Sequence, residues 1–301
     1  MRILLIGKNG QLGQLLHTRL RIFGEVVATG RAELDLAHPQ GIVHAVRDIQ
    51  PKLIVNAAAY TAVDLAEQEP ELARTVNAVA PGILAEEAQR LGIPLIHFST
   101  DYVFDGRKES GSYVEEDLKG PLNVYGKTKL AGEVAVREAG APHLIFRTGW
   151  VYGLQGKNFL RTMLRLAREK REMRVVNDQF GAPTSVAVIA DAVVQVIADL
   201  VAAGDLFHAA LKVSGVYHLT CKGQTSWHGF AQAILRIACQ DNPPRLIAIP
   251  TSEYPTAAAR PRISTLSSAK LEEVFEIVPP QWEEALQRCL DDHSPEPSTE
   301  S

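Results

Sequence analysis

The chain opens with RILLIGKNGQLG at residues 2–13, and this stretch decides the class of fold. Its apolar part, residues 2–6, predicts a short buried β-strand. Residues 11–23 carry apolar side chains at three- and four-residue intervals, which predicts a helix. Between them lie three glycines in the spacing G-x-x-G-x-x-G, namely Gly7, Gly10 and Gly13. A strand, a glycine-rich turn and a helix in this order are typical of a unit that binds a dinucleotide.

Strands and helices continue to alternate up to about residue 150. Because the strands are continuously apolar, we expect a parallel sheet that is covered on both faces. Right-handed crossovers then give an α/β fold with a doubly wound, Rossmann-like sheet. The further strands are predicted at residues 25–29, 53–56, 94–99 and 143–148, and the further helices at 41–49, 71–91 and 125–138.

The pattern loosens after residue 150 and predicts a smaller C-terminal substrate lobe. We interpret residues 1–150 as an NAD(P)-binding domain and 151–292 as mainly substrate-binding, with some elements returning to the first domain. Residues 293–301 are rich in Ser, Pro and Glu, which is typical of a disordered tail. Helices are predicted at residues 158–170, 186–202, 227–238 and 281–290, and strands at 216–219 and 245–249.

Composition argues against several classes of partner. The net charge of −4 provides no basic stripe for a nucleic-acid backbone. No segment approaches the roughly 20 apolar residues of a membrane helix, and the first apolar run is too short for a signal peptide. The 3 cysteines suggest neither a disulfide framework nor a metal site. We therefore expect a cytoplasmic protein that binds no metal, membrane or nucleic acid.

The glycine-rich turn is the first candidate site. Gly7, Gly10 and Gly13 permit a tight turn and a close approach of a pyrophosphate to the backbone. The helix that follows offers free N–H groups and the positive end of its dipole. A purely structural turn is the alternative, because the spacing differs from G-x-G-x-x-G.

The end of the second strand predicts which nicotinamide cofactor is used. An acidic residue there binds the adenosine ribose, whereas an arginine accommodates a 2′-phosphate. This strand ends in Thr29-Gly30-Arg31, so we predict that NADPH is accepted. Glu33 and Asp35 lie nearby and keep NADH open, and Asp35-Leu36 could flank the adenine.

Tyr125 and Lys129 form the candidate catalytic pair. Residues at i and i+4 share one face of a helix, so the Lys129 ammonium can lie near the Tyr125 hydroxyl. A nearby positive charge lowers a phenol pKa, which predicts a proton relay at Tyr125. Lys129 can also bind the nicotinamide ribose. Tyr-x-x-x-Lys is common by chance, and the alternative is a solvated helix face.

Two strand ends supply further candidates. Thr100 and Asp101 end the fourth strand, where Thr100 could reach a substrate carbonyl beside Tyr125; a strand-end cap and a turn anchor are the alternatives. The small residues from Asn56 to Ala59 end the third strand and let a flat ring approach the backbone, although tight packing explains them equally well. Trp227 could line a sugar pocket, whereas Trp282 and Phe230 are better explained by core packing. Arg260 and Arg262 could bind a diphosphate or form surface ion pairs.

Together these residues resemble the extended short-chain dehydrogenase/reductase family and, within it, the dTDP-4-dehydrorhamnose reductases. The strings that carry the likeness lie between residues 1 and 290: Asn56–Ala59, Ser99–Phe104, Pro121–Gly126, Lys129–Glu133, Phe146–Thr148, Trp150–Tyr152, Asn177–Thr184 and Arg260–Arg262.

The resemblance implies a reductase that converts a dTDP-keto-deoxy-sugar with NADPH or NADH. It implies that Tyr125 donates a proton to the C4 oxygen and that Lys129 supports Tyr125 and the ribose. Thr100, Asp101 and Trp150 would contact the sugar. The cofactor contacts it implies are Gly10, Gln11, Leu12, Asp35, Leu36, Ala59, Tyr60 and Thr61.

The sequence departs from this family at three places. Gly30 stands where some members have an acidic residue, and Ile263 stands where Asn is common. Some members form a homodimer bridged by magnesium; here the corresponding regions retain only Asp191 as an acid, which argues against a metal bridge. An epimerase or dehydratase of similar fold is an alternative, although Tyr102 occupies the position of the acid that such dehydratases need. A regulatory subunit of methionine adenosyltransferase is the non-enzymatic alternative.

Overall fold

The computed structural model describes residues 1–239 and 243–291. The tail predicted at 293–301 lies outside the described residues. Strands in the described ranges are β1 (Arg2–Ile6), β2 (Glu25–Thr29), β3 (Leu53–Asn56), β4 (Leu95–Thr100), β5 (His143–Thr148), β6 (Val151–Tyr152), β7 (Glu172–Val176), β8 (Phe180–Gly181), β9 (Thr184–Ser185), β10 (Gly215–His218), β11 (Thr225–Ser226) and β12 (Arg245–Ile249).

The α-helices in the described ranges are α1 (Gln11–Arg19), α2 (Pro39–Ile49), α3 (Val63–Ala66), α4 (Pro70–Arg74), α5 (Ala80–Leu91), α6 (Val124–Glu138), α7 (Phe159–Glu169), α8 (Val186–Ala202), α9 (Leu206–Lys212), α10 (Trp227–Ala238), α11 (Ala269–Phe275) and α12 (Trp282–Asp291). Short 3₁₀ segments at Leu20–Phe23, Asp101–Val103 and Thr251–Glu253 join some of them.

A six-stranded parallel sheet in the order β10-β5-β4-β3-β1-β2 forms the centre of the fold. From β1 the chain first moves outward to β2 and then crosses to the other side to form β3. Ligands bind at such a reversal, in the crevice outside the carboxyl ends of the strands. The prediction of a doubly wound, Rossmann-like α/β fold is confirmed.

Helices cover both faces of this sheet and bury its apolar side chains. On one face α1 and α8 pack through Leu16, Val193 and Val196, which are fully buried. On the other face α2 and α5 contribute Ile42 and Leu84 to a second core. Both α8 and β10 come after residue 150. Part of the C-terminal half therefore covers one face of the central sheet and adds its edge strand.

The helix predicted at residues 71–91 is interrupted by a π-helical turn, Thr75–Val79, between α4 and α5. Asn77 lies in this turn and its side chain is 1% exposed. It accepts a hydrogen bond from the Tyr60 N–H at 2.8 Å and donates to the Tyr60 carbonyl at 3.1 Å. Such turns often occur at functional sites, and this one holds the backbone just beyond β3.

A smaller lobe has its own core between α7, α10 and α12. β7 pairs in parallel with β12 at the side of this lobe. Phe230 and Trp282 are 0% and 6% exposed in its centre, which agrees with the core-packing interpretation of both. Among the described residues no single helix is long and apolar enough to cross a membrane; α8 and α9 meet the criteria only as a pair, bent by 118°.

Candidate active site

The glycine-rich turn forms a cradle that could hold a pyrophosphate. Gly7 has φ of +95°, and a Cβ there would lie 2.8 Å from the Ala58 nitrogen. A Cβ on Gly13 would lie 1.9 Å from the Gly7 carbonyl oxygen, so both positions require glycine. Gly10 caps α1 without a side-chain hydrogen bond. Since Gly10 has no side chain to cap them, the first N–H groups of α1 are suited to bind a phosphate.

Gln11 joins this cradle to the smaller lobe. Its Oε1 accepts a hydrogen bond from Asn158 Nδ2 at 2.6 Å. Asn158 Oδ1 in turn caps α7 by accepting from the Arg161 N–H at 3.0 Å. Sequence reasoning missed Asn158 as part of the site; a helix-capping residue type was the only local signal.

The acidic residues near the end of β2 are already bound. Glu33 accepts from Lys8 Nζ at 2.6 Å and from the Gly30 N–H at 2.8 Å. Asp35 accepts from the Ala37 N–H at 2.9 Å and from Arg31 Nε at 3.3 Å. The Arg31 side chain is 79% exposed, which leaves its terminal nitrogens accessible to a phosphate. Leu36 is buried in the core beneath.

The segment after β3 forms the opposite wall of the crevice. Ala59 and Tyr60 are half-buried and Thr61 is exposed. The Tyr60 hydroxyl donates to Glu69 Oε2 at 2.6 Å. Burial raises the pKa of Tyr60 to about 12, and the hydrogen bond to Glu69 acts in the same direction. Since Ala58 touches Gly7, this wall and the cradle meet at the switch point of the sheet.

Tyr125 lies in the first turn of α6, at the mouth of the crevice. Asn123 starts this helix by accepting from the Gly126 N–H at 2.8 Å. The ring of Tyr125 meets the ring of Tyr102 edge-on, with centroids 5.8 Å apart. Burial raises the pKa of Tyr125 to about 12, against the effect of a hydrogen bond with Thr100. The prediction that this pKa is lowered is therefore wrong for the chain alone, because burial disfavours the charged phenolate.

Lys129 is one helical turn further along α6 and is 2% exposed. Its Nζ donates to the Phe98 carbonyl at 2.6 Å and lies 3.4 Å from His97 Nε2. Burial lowers the pKa of Lys129 to about 8, although Glu133 acts in the opposite direction. A solvated helix face is thus excluded for this residue, and Lys129 lies between α6 and the sheet.

Thr100 and Asp101 lie beside Tyr125, at the end of β4. The Thr100 hydroxyl donates to Asp101 Oδ1 at 3.0 Å and accepts from the Tyr102 N–H at 3.2 Å. Thr100 therefore caps a turn and also faces Tyr125. Burial raises the pKa of Asp101 to about 6, against the effects of the Ser264 and Thr100 hydroxyls. Asp101 Oδ2 is buried and has no partner within hydrogen-bonding distance among the described residues.

Trp150 and Trp227 form a stacked pair on the smaller-lobe side. Their ring centroids are 3.5 Å apart and the planes differ by 2°. Trp150 Nε1 donates to Ser264 Oγ, and Trp227 Nε1 donates to Gln179 Oε1, each at 3.2 Å. Trp150 has φ of +51°, a strained value for a large residue. Strain of this kind is characteristic of functional sites.

Arg260 forms an ion pair across the crevice, as the alternative interpretation allowed. Its Nη2 lies 2.7 Å from Asp64 Oδ2, and Asp64 Oδ1 accepts from the Ala258 N–H at 3.0 Å. Sequence reasoning missed Asp64, since a separation of nearly 200 residues leaves no local pattern. Arg262 is exposed. The pair ties the segment before Arg260 to α3, next to the cofactor wall.

The described residues contain no group of three or more His, Cys, Asp or Glu side chains placed to hold a metal ion. Asp191, the one acid retained at the position of the magnesium bridge, forms an ion pair with Arg19 of α1. This carboxylate is therefore already partnered within the chain.

Comparisons with known proteins agree with this geometry. The family model described as the RmlD substrate binding domain matches residues 1–294. The dTDP-4-dehydrorhamnose reductase of Burkholderia thailandensis is 48% identical over an alignment of 301 positions that covers 97% of this chain and 99% of that protein. The reductase structure from Clostridium acetobutylicum has a TM-score of 0.89 at 36% identity, covering 97% of this chain and 99% of the other. The structure from Bacillus anthracis, in complex with NADP, has a TM-score of 0.85 at 36% identity and the same coverage.

A glycine-rich turn at the switch point of a parallel sheet, with a tyrosine and a buried lysine one helical turn apart beside β4, is typical of an oxidoreductase of the short-chain dehydrogenase/reductase class. Within that class the matches to relatives extend over nearly the whole chain. The chain belongs to the dTDP-4-dehydrorhamnose reductase family.

Proposed function

We propose that the chain reduces the C4 keto group of dTDP-4-dehydro-6-deoxy-L-mannose to give dTDP-L-rhamnose, using NADPH or NADH. This is the last step in supplying dTDP-rhamnose for cell-surface polysaccharide. The observation that carries the proposal is the hydrogen bond between Thr100 and Tyr125 at the carboxyl end of β4, with the Lys129 ammonium bound to a carbonyl of the same strand. The names and the NADP complex of the relatives support the same reaction.

The residues present fit a nicotinamide dinucleotide. Gly7, Gly10 and Gly13, with the first N–H groups of α1, would hold its pyrophosphate, while Ala59, Tyr60 and Thr61 would line its nicotinamide half. Arg31 would bind a 2′-phosphate. The bound cofactor supplies a hydride to the keto carbon.

Protonation of the resulting alkoxide is the task of Tyr125. Because its pKa is raised to about 12, Tyr125 keeps its proton at neutral pH and can act as the general acid toward O4. Thr100 would hold the same oxygen through its hydroxyl. The Lys129 ammonium would stabilise the phenolate that remains, and its position inside the protein strengthens this interaction.

The smaller lobe would hold the rest of the substrate. The Trp150 ring would pack against the deoxy sugar, and Trp227 would keep that ring in place. Asp101, next to Thr100 at the end of β4, would contact the sugar. Arg260 would contact the diphosphate beside Asp64.

One assay tests the proposal directly. NADPH and NADH oxidation would be followed with enzymatically made dTDP-4-dehydro-6-deoxy-L-mannose, and the product compared with dTDP-L-rhamnose by chromatography. We expect stoichiometric cofactor oxidation and a single product. Tightly bound NAD with no net turnover would favour an epimerase, and failure to oxidise either cofactor with any dTDP-keto sugar would favour a regulatory role.

Replacement of Arg31 by alanine tests the proposed contact with the 2′-phosphate of NADPH. Loss of one charge-assisted contact to a phosphate costs about 1.5–3 kcal/mol, so we expect KM for NADPH to rise by about 10- to 100-fold and KM for NADH to change little. Arg171→Ala, an exposed arginine of the smaller lobe, serves as the matched control. Equal effects of Arg31→Ala on both cofactors would contradict the assignment.

We further propose that the protein works in the cytoplasm. In a homodimer, contact between subunits would not depend on a shared metal, since Asp191 is bound by Arg19.

A further inference from the structure

His97 is a buried titratable residue for which the reaction above provides no role. It lies on β4, in register with Asn56 of β3, and is 0% exposed. Its Nδ1 lies 3.2 Å from Asn56 Nδ2, and its Nε2 lies 3.4 Å from Lys129 Nζ. The imidazole thus stands between the crevice wall and the candidate catalytic lysine.

The hydrogen bonds of Asn56 determine which ring nitrogen of His97 carries the proton. Asn56 Oδ1 accepts from the Ala58 N–H at 3.2 Å, so its amide nitrogen must point to the ring. The amide nitrogen is only a donor, and His97 Nδ1 must therefore accept. Turning the amide around would place two donors, Asn56 Nδ2 and the Ala58 N–H, against each other.

A neutral imidazole with an accepting Nδ1 carries its proton on Nε2. Burial holds the pKa of His97 well below its ordinary value, and the charge of Lys129 acts in the same direction. The ring is therefore neutral at physiological pH. The Nε2–H then faces Lys129 Nζ. It can donate a hydrogen bond to the lone pair of a neutral amine, but it has nothing to accept from an ammonium.

We propose that His97 is a positioning residue for the reductase, which acts on Lys129 through the hydrogen-bond chain Ala58–Asn56–His97–Lys129 and favours the neutral amine over the ammonium. The inference rests on the proposed function. It adds that the crevice backbone at Ala58 and the proton on Lys129 are linked through the interior of the sheet.

Other charged groups near Lys129 set the background for this effect. Glu133, on the same helix, favours the ammonium and is itself paired with Arg147 of β5 at 2.7 Å. Tyr125, one turn earlier on α6, is protonated and neutral. The Phe98 carbonyl accepts from Lys129 in either protonation state. His97 on β4 is therefore the neighbour whose tautomer distinguishes the two states of Lys129.

The pH dependence of kcat tests the proposal. If the ammonium supports Tyr125, kcat falls at high pH as Lys129 loses its proton. His97→Phe keeps the site buried and removes the Nε2–H, so Lys129 should hold its proton to higher pH. The fall of kcat at high pH is the alkaline limb of the pH profile. The loss of one hydrogen bond corresponds to an upward shift of this limb by about 0.5–1 pH unit.

Asn56→Asp gives a second variant that keeps the imidazole. A carboxylate at residue 56 can accept from both the Ala58 N–H and His97 Nδ1–H, which moves the ring proton from Nε2 to Nδ1. His97 Nε2 then accepts from the Lys129 ammonium, and the limb should again move upward. His143→Phe is the control, because His143 lies on β5 and its Nδ1 contacts the Ala141 carbonyl at the other end of the sheet.

Upward shifts in His97→Phe and Asn56→Asp, with no shift in His143→Phe, would support the proposal. An unmoved limb in a folded, NADPH-binding His97→Phe protein would overturn it, since a purely structural role alters stability and not this pH profile. If His97→Phe does not fold, the ring ¹⁵N chemical shifts of His97 in the wild-type protein decide: a proton on Nε2 supports the proposal, and a proton on Nδ1 overturns it. A wild-type protein inactive on the dTDP-keto sugar would instead reject the proposed function itself.

Discussion

Tyr125→Phe is expected to lower kcat by about 10²- to 10⁴-fold, the usual contribution of a positioned general acid. The variant keeps the ring that packs edge-on against Tyr102 and loses only the hydroxyl that faces Thr100. Without a proton donor, hydride transfer would leave a bare alkoxide at C4. Steady-state turnover with NADPH and the dTDP-keto sugar measures the effect.

Cofactor binding separates lost chemistry from lost structure in this experiment. NADPH affinity of Tyr125→Phe, measured by fluorescence, should stay within a few-fold of wild type, because the cradle and the wall after β3 are unchanged. Tyr217→Phe is the matched control: its hydroxyl donates to the Val213 carbonyl at 2.6 Å, outside the crevice. Near-normal turnover by Tyr125→Phe would reject the assigned role.

Glu133→Leu is expected to lower the free energy of unfolding by about 3–5 kcal/mol, because it leaves a buried arginine without its partner. Glu133 and Arg147 are 1% and 2% exposed and share two hydrogen bonds, of 2.8 and 2.7 Å. Ser99 donates a third bond to Glu133 at 2.5 Å. Urea denaturation of the folded variants gives the comparison.

A double variant distinguishes loss of the pair from loss of packing. Glu133→Leu combined with Arg147→Met removes both charges, and stability should return close to wild type. Glu169→Leu breaks the exposed pair of Glu169 with Arg165 and should cost no more than about 1 kcal/mol. If Glu133→Leu is as stable as wild type, the Glu133–Arg147 ion pair contributes nothing to the free energy of unfolding.

The sequence was sufficient where a local pattern determines the structure. The continuous apolar runs predicted β1, β2, β3 and β5 at the bounds the structure has, and the i, i+4 spacing placed Tyr125 and Lys129 on one helix face. Gly92 ends α5 in the left-handed conformation that a glycine allows, with φ of +63°. Phe230 and Trp282 were assigned to a core because large aromatic side chains fill interiors.

The remaining features depend on contacts between distant parts of the chain. The π-helical turn around Asn77 has no local signal, because its side chain is held by Tyr60 and Thr128. The Asp64–Arg260 pair joins residues that have no pattern in common. The pKa of Tyr125 depends on burial, which the sequence does not show, and that is why its direction was predicted incorrectly. The short strands β6, β8, β9 and β11 have two residues each, too few for periodicity.

The place of α8 has a consequence for how the molecule is made. Leu16 of α1 is covered by a helix that is synthesised some 170 residues later, and the outer strand β10 is added later still. When residue 150 leaves the ribosome, that side of the sheet therefore still lacks α8, and β5 has an open edge. The N-terminal half cannot finish folding alone; its completion must wait for the C-terminal half, and until then its apolar surface is open to aggregation or to chaperones.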